Sequence, residues 1–202
     1  MPLARTFDVT RGAIVTTLHD AYLDRLSRGS DITEYLPFLY EQARSREGVR
    51  VLEFGTRKGN STLAFLAGAE ESGGHVWSND IGNVALDPEG MLPWARHPLW
   101  TFTCGDDMDP AVQAQLPPQC DVLFIDTSHE YKHTLAELRA YMPRLTPGGV
   151  ALFHDTHVYD WPGYGWSGDV PPVQQALNAY CAEAALEWQD MPGHYGMGVI
   201  RL

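Results

Sequence analysis

From residue 49 onward, short apolar runs alternate with longer stretches whose apolar positions recur every three or four residues. The runs Val49–Phe54, His75–Asn79, Leu99–Thr103, Asp121–Ile125 and Val150–Phe153 have strand length and are mostly apolar, as expected of parallel strands covered on both faces. Ser61–Glu71, Glu130–Leu145 and Val173–Glu187 read as helices, the second with Leu135, Leu138, Tyr141 and Met142 as its apolar stripe. Ahead of the first strand, Ile14–Leu26 and Ile32–Ala43 carry apolar residues at helical spacing. Near residue 200, Leu186–Asp190 and Tyr195–Leu202 flank Met191-Pro192-Gly193, which predicts an antiparallel pair closing one sheet edge. The pattern therefore predicts one α/β domain over residues 1–202. Residues 1–48 form a helical extension. Residues 49–202 form a mostly parallel sheet of seven strands, with helices on both faces and an antiparallel C-terminal strand.

Composition narrows the partners. Of 202 residues, 14 are Lys or Arg and 26 are Asp or Glu, a net charge of −12 that repels phosphate backbones and anionic membranes. A small-molecule partner is expected, with no nucleic acid and no membrane. The three cysteines, Cys104, Cys120 and Cys181, lie far apart and in no CxxC pattern, which argues against a disulfide framework or a cysteine zinc site. No stretch approaches the ~18 apolar residues of a membrane span, and no leader pattern opens the sequence, so a soluble cytoplasmic protein is expected. The N-terminal helices and the sheet edge near Leu202 offer surfaces for a homo-oligomer. Two long connections, Gly82–Pro98 and Thr156–Pro172, exceed ordinary loop length. The second gathers Tyr159, Trp161, Tyr164 and Trp166, the composition of an aromatic lid or pocket wall.

The candidate chemistry lies where strands end. Glu53-Phe54-Gly55-Thr56-Arg57-Lys58-Gly59-Asn60-Ser61 is a glycine turn opening into a helix, which lets a ligand approach the backbone and the helix N–H groups. Its GxxxG spacing differs from the GxGxxG of dinucleotide folds, and the nearby Glu53 suits an ammonium better than a pyrophosphate. The second strand leads to Asp80, 27 residues after Glu53, about where a βαβ unit offers a carboxylate to ribose hydroxyls. After the third strand, Gly105 permits close approach and Asp106 is placed to accept from an adenine amino group.

In this order the three positions resemble class I S-adenosylmethionine-dependent methyltransferases, Rossmann-like enzymes, over roughly Val49 to the C-terminus. The resemblance implies that Glu53, Gly55, Thr56, Gly59 and Ser61 form the cofactor loop, that Asp80 takes the ribose and that Asp106 lies near adenine. Arg57 stands where many members have a glycine. The segments Asp121–Tyr131 and Pro147–Thr156 resemble a narrower branch, the bacterial small-molecule O-methyltransferases related to the macrocin and rhamnosyl enzymes and to cephalosporin-hydroxylase-like proteins. Asp126 and Asp155 match that branch's divalent-metal positions, and His154 stands where some relatives have an acidic or amide ligand.

The strand ends support the same grouping, because neighbouring parallel strands bring Asp126 and Asp155 to one crevice. Two such carboxylates repel unless protonated or bridged by a cation. Oxygen ligands favour Mg2+, with Mn2+ or another divalent ion as the alternative where an imidazole joins. His129, His154 and His157 flank the pair, and His129 is the leading candidate for a base. The expected activity is S-adenosylmethionine-dependent O-methylation of a small-molecule hydroxyl with metal assistance, Asp126 and His129 being the catalytic pair. Two other readings stay open. One is an NAD-dependent oxidoreductase using Asp80 for the ribose, and the other is a non-catalytic nucleoside-binding protein.

Overall fold

The computed structural model describes residues 17–83, 96–158 and 169–202. Most of the two long connections, including Tyr159, Trp161, Tyr164 and Trp166, lies outside the described residues, as does the start of the first expected helix.

Seven strands form one sheet in the order β3-β2-β1-β4-β5-β7-β6. They are β1 (Arg50–Phe54), β2 (His75–Asp80), β3 (Trp100–Cys104), β4 (Cys120–Ile125), β5 (Leu145–His154), β6 (Gln189–Met191) and β7 (Met197–Arg201). Strands β1 to β5 are parallel, whereas β7 runs antiparallel to both β5 and β6. The helices are α1 (Leu18–Leu26), α2 (Leu36–Ala43), α3 (Asn60–Ser72), α4 (Pro110–Gln113), α5 (Tyr131–Tyr141) and α6 (Pro172–Ala184).

The sheet separates two apolar clusters. Val51, Val76, Phe124 and Leu152 face α1, α2 and α3, while the alternate residues Leu52, Leu123, Ile125 and Phe153 face α5 and α6. Burial of both faces explains why the strand sequences show no polar alternation. Helices α2 and α3 approach closely because of Gly68, where a Cβ would lie 2.5 Å from the Tyr40 carbonyl oxygen and 2.8 Å from the Ala43 Cβ. At the N-terminal end of β4, Asp121 accepts from the Arg50 backbone N–H (2.8 Å), the Arg50 guanidinium (3.1 Å) and Thr146 Oγ1 (2.7 Å), fastening β1, β4 and β5 together.

Prolines shape the differences from the expected elements. The helix expected over Ile32–Ala43 begins as a 3-10 turn at Thr33–Tyr35 and becomes α-helical at Leu36, with Pro37 in its first turn. The helix expected over Glu130–Leu145 ends at Tyr141, and Met142–Arg144 continues as a 3-10 turn around Pro143. Strand β5 begins five residues earlier than expected and absorbs Pro147-Gly148-Gly149, with a register irregularity opposite Cys120 and Val122.

Candidate functional site

The C-terminal ends of β1, β4 and β5 converge on one edge of the sheet, the place where open parallel sheets bind ligands. Beyond β1 the chain turns through Gly55–Lys58 into α3. Gly55 has φ +87°, and a Cβ there would meet the Asp126 carbonyl oxygen at 1.9 Å, so only glycine lets the turn lie against the end of β4. A cavity of about 280 Å³ opens between this turn, the 29–32 segment and Asp126. Gly55, Thr56, Lys58 and Ser61 line it. The Arg57 guanidinium reaches Asp31 (2.8 Å) and Arg25 reaches Asn60 (2.8 Å), joining the N-terminal segment to the turn.

Four non-glycine residues among those described have positive φ. Three of them, Arg57 (46°), His129 (58°) and Asp155 (61°), surround this edge. Such conformations persist only where the surroundings impose them, and they gather at functional sites. Arg57 thus adopts the left-handed backbone that a glycine would supply at its position.

Asp126 follows β4, and His154 and Asp155 close β5. His129 stands in the short segment before α5. Asp126 Oδ1 lies 3.0 Å from His129 Nε2 and 3.3 Å from His154 Nδ1. Asp155 Oδ2 lies 3.0 Å from His129 Nε2, and Asp155 Oδ1 lies 3.2 Å from His154 Nδ1. Two carboxylates and two imidazoles therefore form one interlocked group. Burial works against charge on all four, but their mutual attraction is stronger. It raises His129 to about 9 and His154 to about 10, and it holds Asp126 and Asp155 below the usual carboxylate range. The Tyr35 ring meets the His154 ring edge-on at 5.8 Å. Asp155 Oδ1 and His154 Nε2 are buried without a hydrogen-bond partner. One oxygen from each carboxylate and a nitrogen of His154 lie within 4.8 Å of one another, a donor set that fits a divalent cation.

Other expected site residues are placed differently. Glu53 is fully buried and absent from the cavity wall. Its oxygens accept from Ser61 Oγ (2.6 Å), Thr62 Oγ1 (2.7 Å) and Ser78 Oγ (2.5 Å), while Trp100 Nε1 donates to Ser78 Oγ (2.9 Å). It anchors the start of α3 to β1 and β2, and burial pushes its carboxyl up to about 7 despite the three hydroxyl donors. Gly59 is the N-cap of α3 in a left-handed conformation. Asp80 accepts from the backbone N–H groups of Arg57 and Gly82, both at 2.8 Å, and is only partly exposed. Asp106 is exposed and caps its own turn by accepting from the Met108 N–H (2.8 Å). His157 pairs with Asp190 (3.0 Å) and stands outside the four-residue group. Sequence spacing did not disclose that the 29–32 segment would wall the cavity or that Tyr35 would cover His154. Neither segment carries a local signal, because the fold alone brings them to the strand ends.

A methyltransferase domain model matches residues 52–156, which include the glycine turn and all four residues of the interlocked group. The chain belongs to the class I S-adenosylmethionine-dependent methyltransferases. It is similar to the rhamnosyl O-methyltransferases of Mycobacterium leprae (30% identity over 85% of this chain and 71% of the relative) and of Mycobacterium tuberculosis (29% over 75% of this chain). It spans 61% of the length of the second relative. Among solved structures, an O-methyltransferase from Bacillus cereus in complex with SAH has a TM-score of 0.65 at 18% identity, covering 96% of this chain and 94% of that one. The MycE methyltransferase of the mycinamycin biosynthetic pathway, in complex with Mg and SAH, has a TM-score of 0.61 at 18% identity, covering 92% of this methyltransferase and 53% of its own chain. Both likenesses concern the fold. Among the described residues, no helix of this methyltransferase is long and apolar enough to cross a membrane.

Proposed function

We propose that this methyltransferase moves the sulfonium methyl of S-adenosylmethionine to a hydroxyl oxygen of a small molecule, with a divalent cation on Asp126, Asp155 and His154. The observation that carries this reading is the interlocking of Asp126, His129, His154 and Asp155 beside the cavity under the glycine turn. The names of the rhamnosyl relatives and the Mg of the MycE complex support the acceptor class and the metal.

In the transfer the S–CH3 bond breaks as an O–CH3 bond forms, and the hydroxyl proton must leave. In this reading the glycine turn and Asp80 hold the cofactor, and Asp126 lines the cavity beside the turn. A divalent cation held by Asp126, Asp155 and His154 would neutralise the two carboxylates and lower the proton affinity of an acceptor hydroxyl. Without their attraction His129 would fall from about 9 toward the ordinary imidazole range, and its Nε2, the nitrogen that otherwise pairs with Asp126 and Asp155, would take the acceptor proton. The 3.0 Å contacts with both carboxylates hold that nitrogen in place and limit its freedom to turn away.

Calorimetric titration of chelator-treated protein with S-adenosylhomocysteine tests the cofactor without the acceptor. Saturable binding is expected, followed by a separate Mg2+ heat that disappears in Asp155→Asn. Absence of nucleoside binding overturns the cofactor assignment. Nucleoside binding with a Mg2+ heat unchanged in Asp155→Asn, or with none at all, overturns the metal assignment.

A further inference from the structure

A second group of side chains able to ligate a metal joins the loop after β3 to α5. Asp107, three residues past the end of β3, meets His133 and Glu137, which stand one helical turn apart on α5. His133 Nε2 is 3.2 Å from Asp107 Oδ1 and 3.5 Å from Glu137 Oε1. These separations exceed the ~2.7–2.9 Å of a charge-assisted hydrogen bond. They match the edge of a tetrahedron of donors around a zinc-sized ion, about 3.3 Å for ligands at ~2.0–2.1 Å.

Saturation of the group is incomplete. Glu137 is fully buried and Asp107 is 5% exposed, yet Asp107 Oδ2 and Glu137 Oε2 have no hydrogen-bond donor. Buried carboxylate oxygens without donors call for either a shared proton or a cation. The His133 side chain is 27% exposed and gives the group its contact with solvent, where an ion can enter and keep a water as an outer ligand.

We propose that Asp107, His133 and Glu137 bind a transition-metal cation of the zinc class, separately from the Asp126 group. One imidazole and two carboxylates whose ligand atoms lie within 4.8 Å of one another suit such an ion better than Mg2+, which requires six near-octahedral oxygens. The site ties the loop after β3 to α5. It also reaches the segment after Asp126, since Thr127 Oγ1 donates to Glu137 Oε1 (2.7 Å) and the Tyr141 hydroxyl donates to the Asp107 carbonyl. An ion there fastens the adenine-side loop and the start of α5 to one another. Its role is to hold the frame of the methyl-transfer site without taking part in the transfer.

The test uses the full chain carrying Asp126→Asn and Asp155→Asn, stripped with chelator, so that the first group no longer competes. Zn2+ is followed by calorimetry and native mass spectrometry, and Co2+ by visible absorption. One ion per chain is expected, with the intense bands of four-coordinate Co2+ and a raised thermal midpoint. Glu137→Gln or His133→Gln should weaken binding at least tenfold and remove the bands. The proposal is overturned if the background chain takes up no ion, or if both variants bind with unchanged affinity, as scattered surface histidines would. Where Glu137→Gln fails to fold, His133→Gln decides, because its ring is partly exposed.

Discussion

Replacing Gly55 with alanine tests how the glycine turn and the end of β4 are fitted together. The new Cβ would sit 1.9 Å from the Asp126 carbonyl oxygen and 2.7 Å from its carbonyl carbon, where ordinary contact begins at 3.4 Å. Relief requires the two strand ends to separate by roughly 1.5 Å, a scale at which packed interiors resist insertion. That movement strains two hydrogen bonds, Asp126 N–H to the Phe54 carbonyl (3.0 Å) and Gly55 N–H to the Asn79 carbonyl (2.9 Å). Each is worth about 1 kcal/mol. Crowding adds ~1–3 kcal/mol and a positive φ on alanine ~1–2 kcal/mol, so Gly55→Ala should cost at least about 3 kcal/mol. Gly48→Ala is the control, because Gly48 has φ +66° and a Cβ there would meet nothing within 4 Å. It should cost only the ~1–2 kcal/mol of the backbone conformation. Urea unfolding followed by tryptophan fluorescence measures both, and a gap of about 2 kcal/mol corresponds to a midpoint difference near 1 M at m of ~2 kcal/mol/M. Equal costs for the two alanines would refute the steric argument. Displacement of Asp126 should also lower turnover by roughly a hundredfold, the scale of a 1 Å misplacement.

Three further outcomes are expected. Glu53 sits at about 7 in the folded chain against an ordinary 4.5, so its contribution to stability is fullest below pH 4.5 and is lost as pH rises through 7. In urea titrations, Glu53→Gln should gain on the wild type by on the order of 2–3 kcal/mol between pH 5 and pH 8, and parallel profiles would contradict it. Asp121 is held at about 2 against 3.8, with burial opposing and Arg50 and Thr146 more than compensating, so its contribution is present above pH 3.8 and fades as pH falls toward 2. Because its arginine partners are partly exposed and screened, Asp121→Asn should cost on the order of 1–2 kcal/mol at pH 7 by urea unfolding, with the gap closing in acid. S-adenosylhomocysteine at ~100 times its Kd should add about 2.7 kcal/mol to unfolding free energy, and no stabilisation by a saturating nucleoside would contradict a preformed cofactor cavity.

The parallel strands were legible because burial on both faces left apolar runs with sharp ends, as in Asp121–Ile125 before Asp126 and Val150–Phe153 before His154. Those ends carried the site with them, since adjacent parallel strands terminate at one edge. The Pro192-Gly193 punctuation likewise disclosed the β6–β7 pair. What escaped was set by interactions distant in sequence. Glu53 precedes a glycine turn in the manner of a cofactor ligand, and only the folded neighbourhood of Ser61, Thr62 and Ser78 turns its carboxylate inward. The Asp107, His133 and Glu137 group had a local trace in the helical spacing of His133 and Glu137. Its third member comes from 26 residues earlier.

The wall above His154 joins parts of the chain that are far apart in sequence. The Glu34 carboxylate accepts from the His194 backbone N–H (2.7 Å), and Gly193 lies so close to Tyr35 that a Cβ would fall 2.1 Å from the phenolic oxygen. These partners are separated by 160 and 158 positions. Contacts of such span carry the greatest loop-closure cost and form late, after the central strands have paired. During synthesis the segment around Tyr35 leaves the ribosome long before its partner exists, and it must wait with its apolar side uncovered. The chain can therefore assemble its sheet before it can enclose its site, and slow completion of this wall would appear as a delay between folding and the onset of ligand binding.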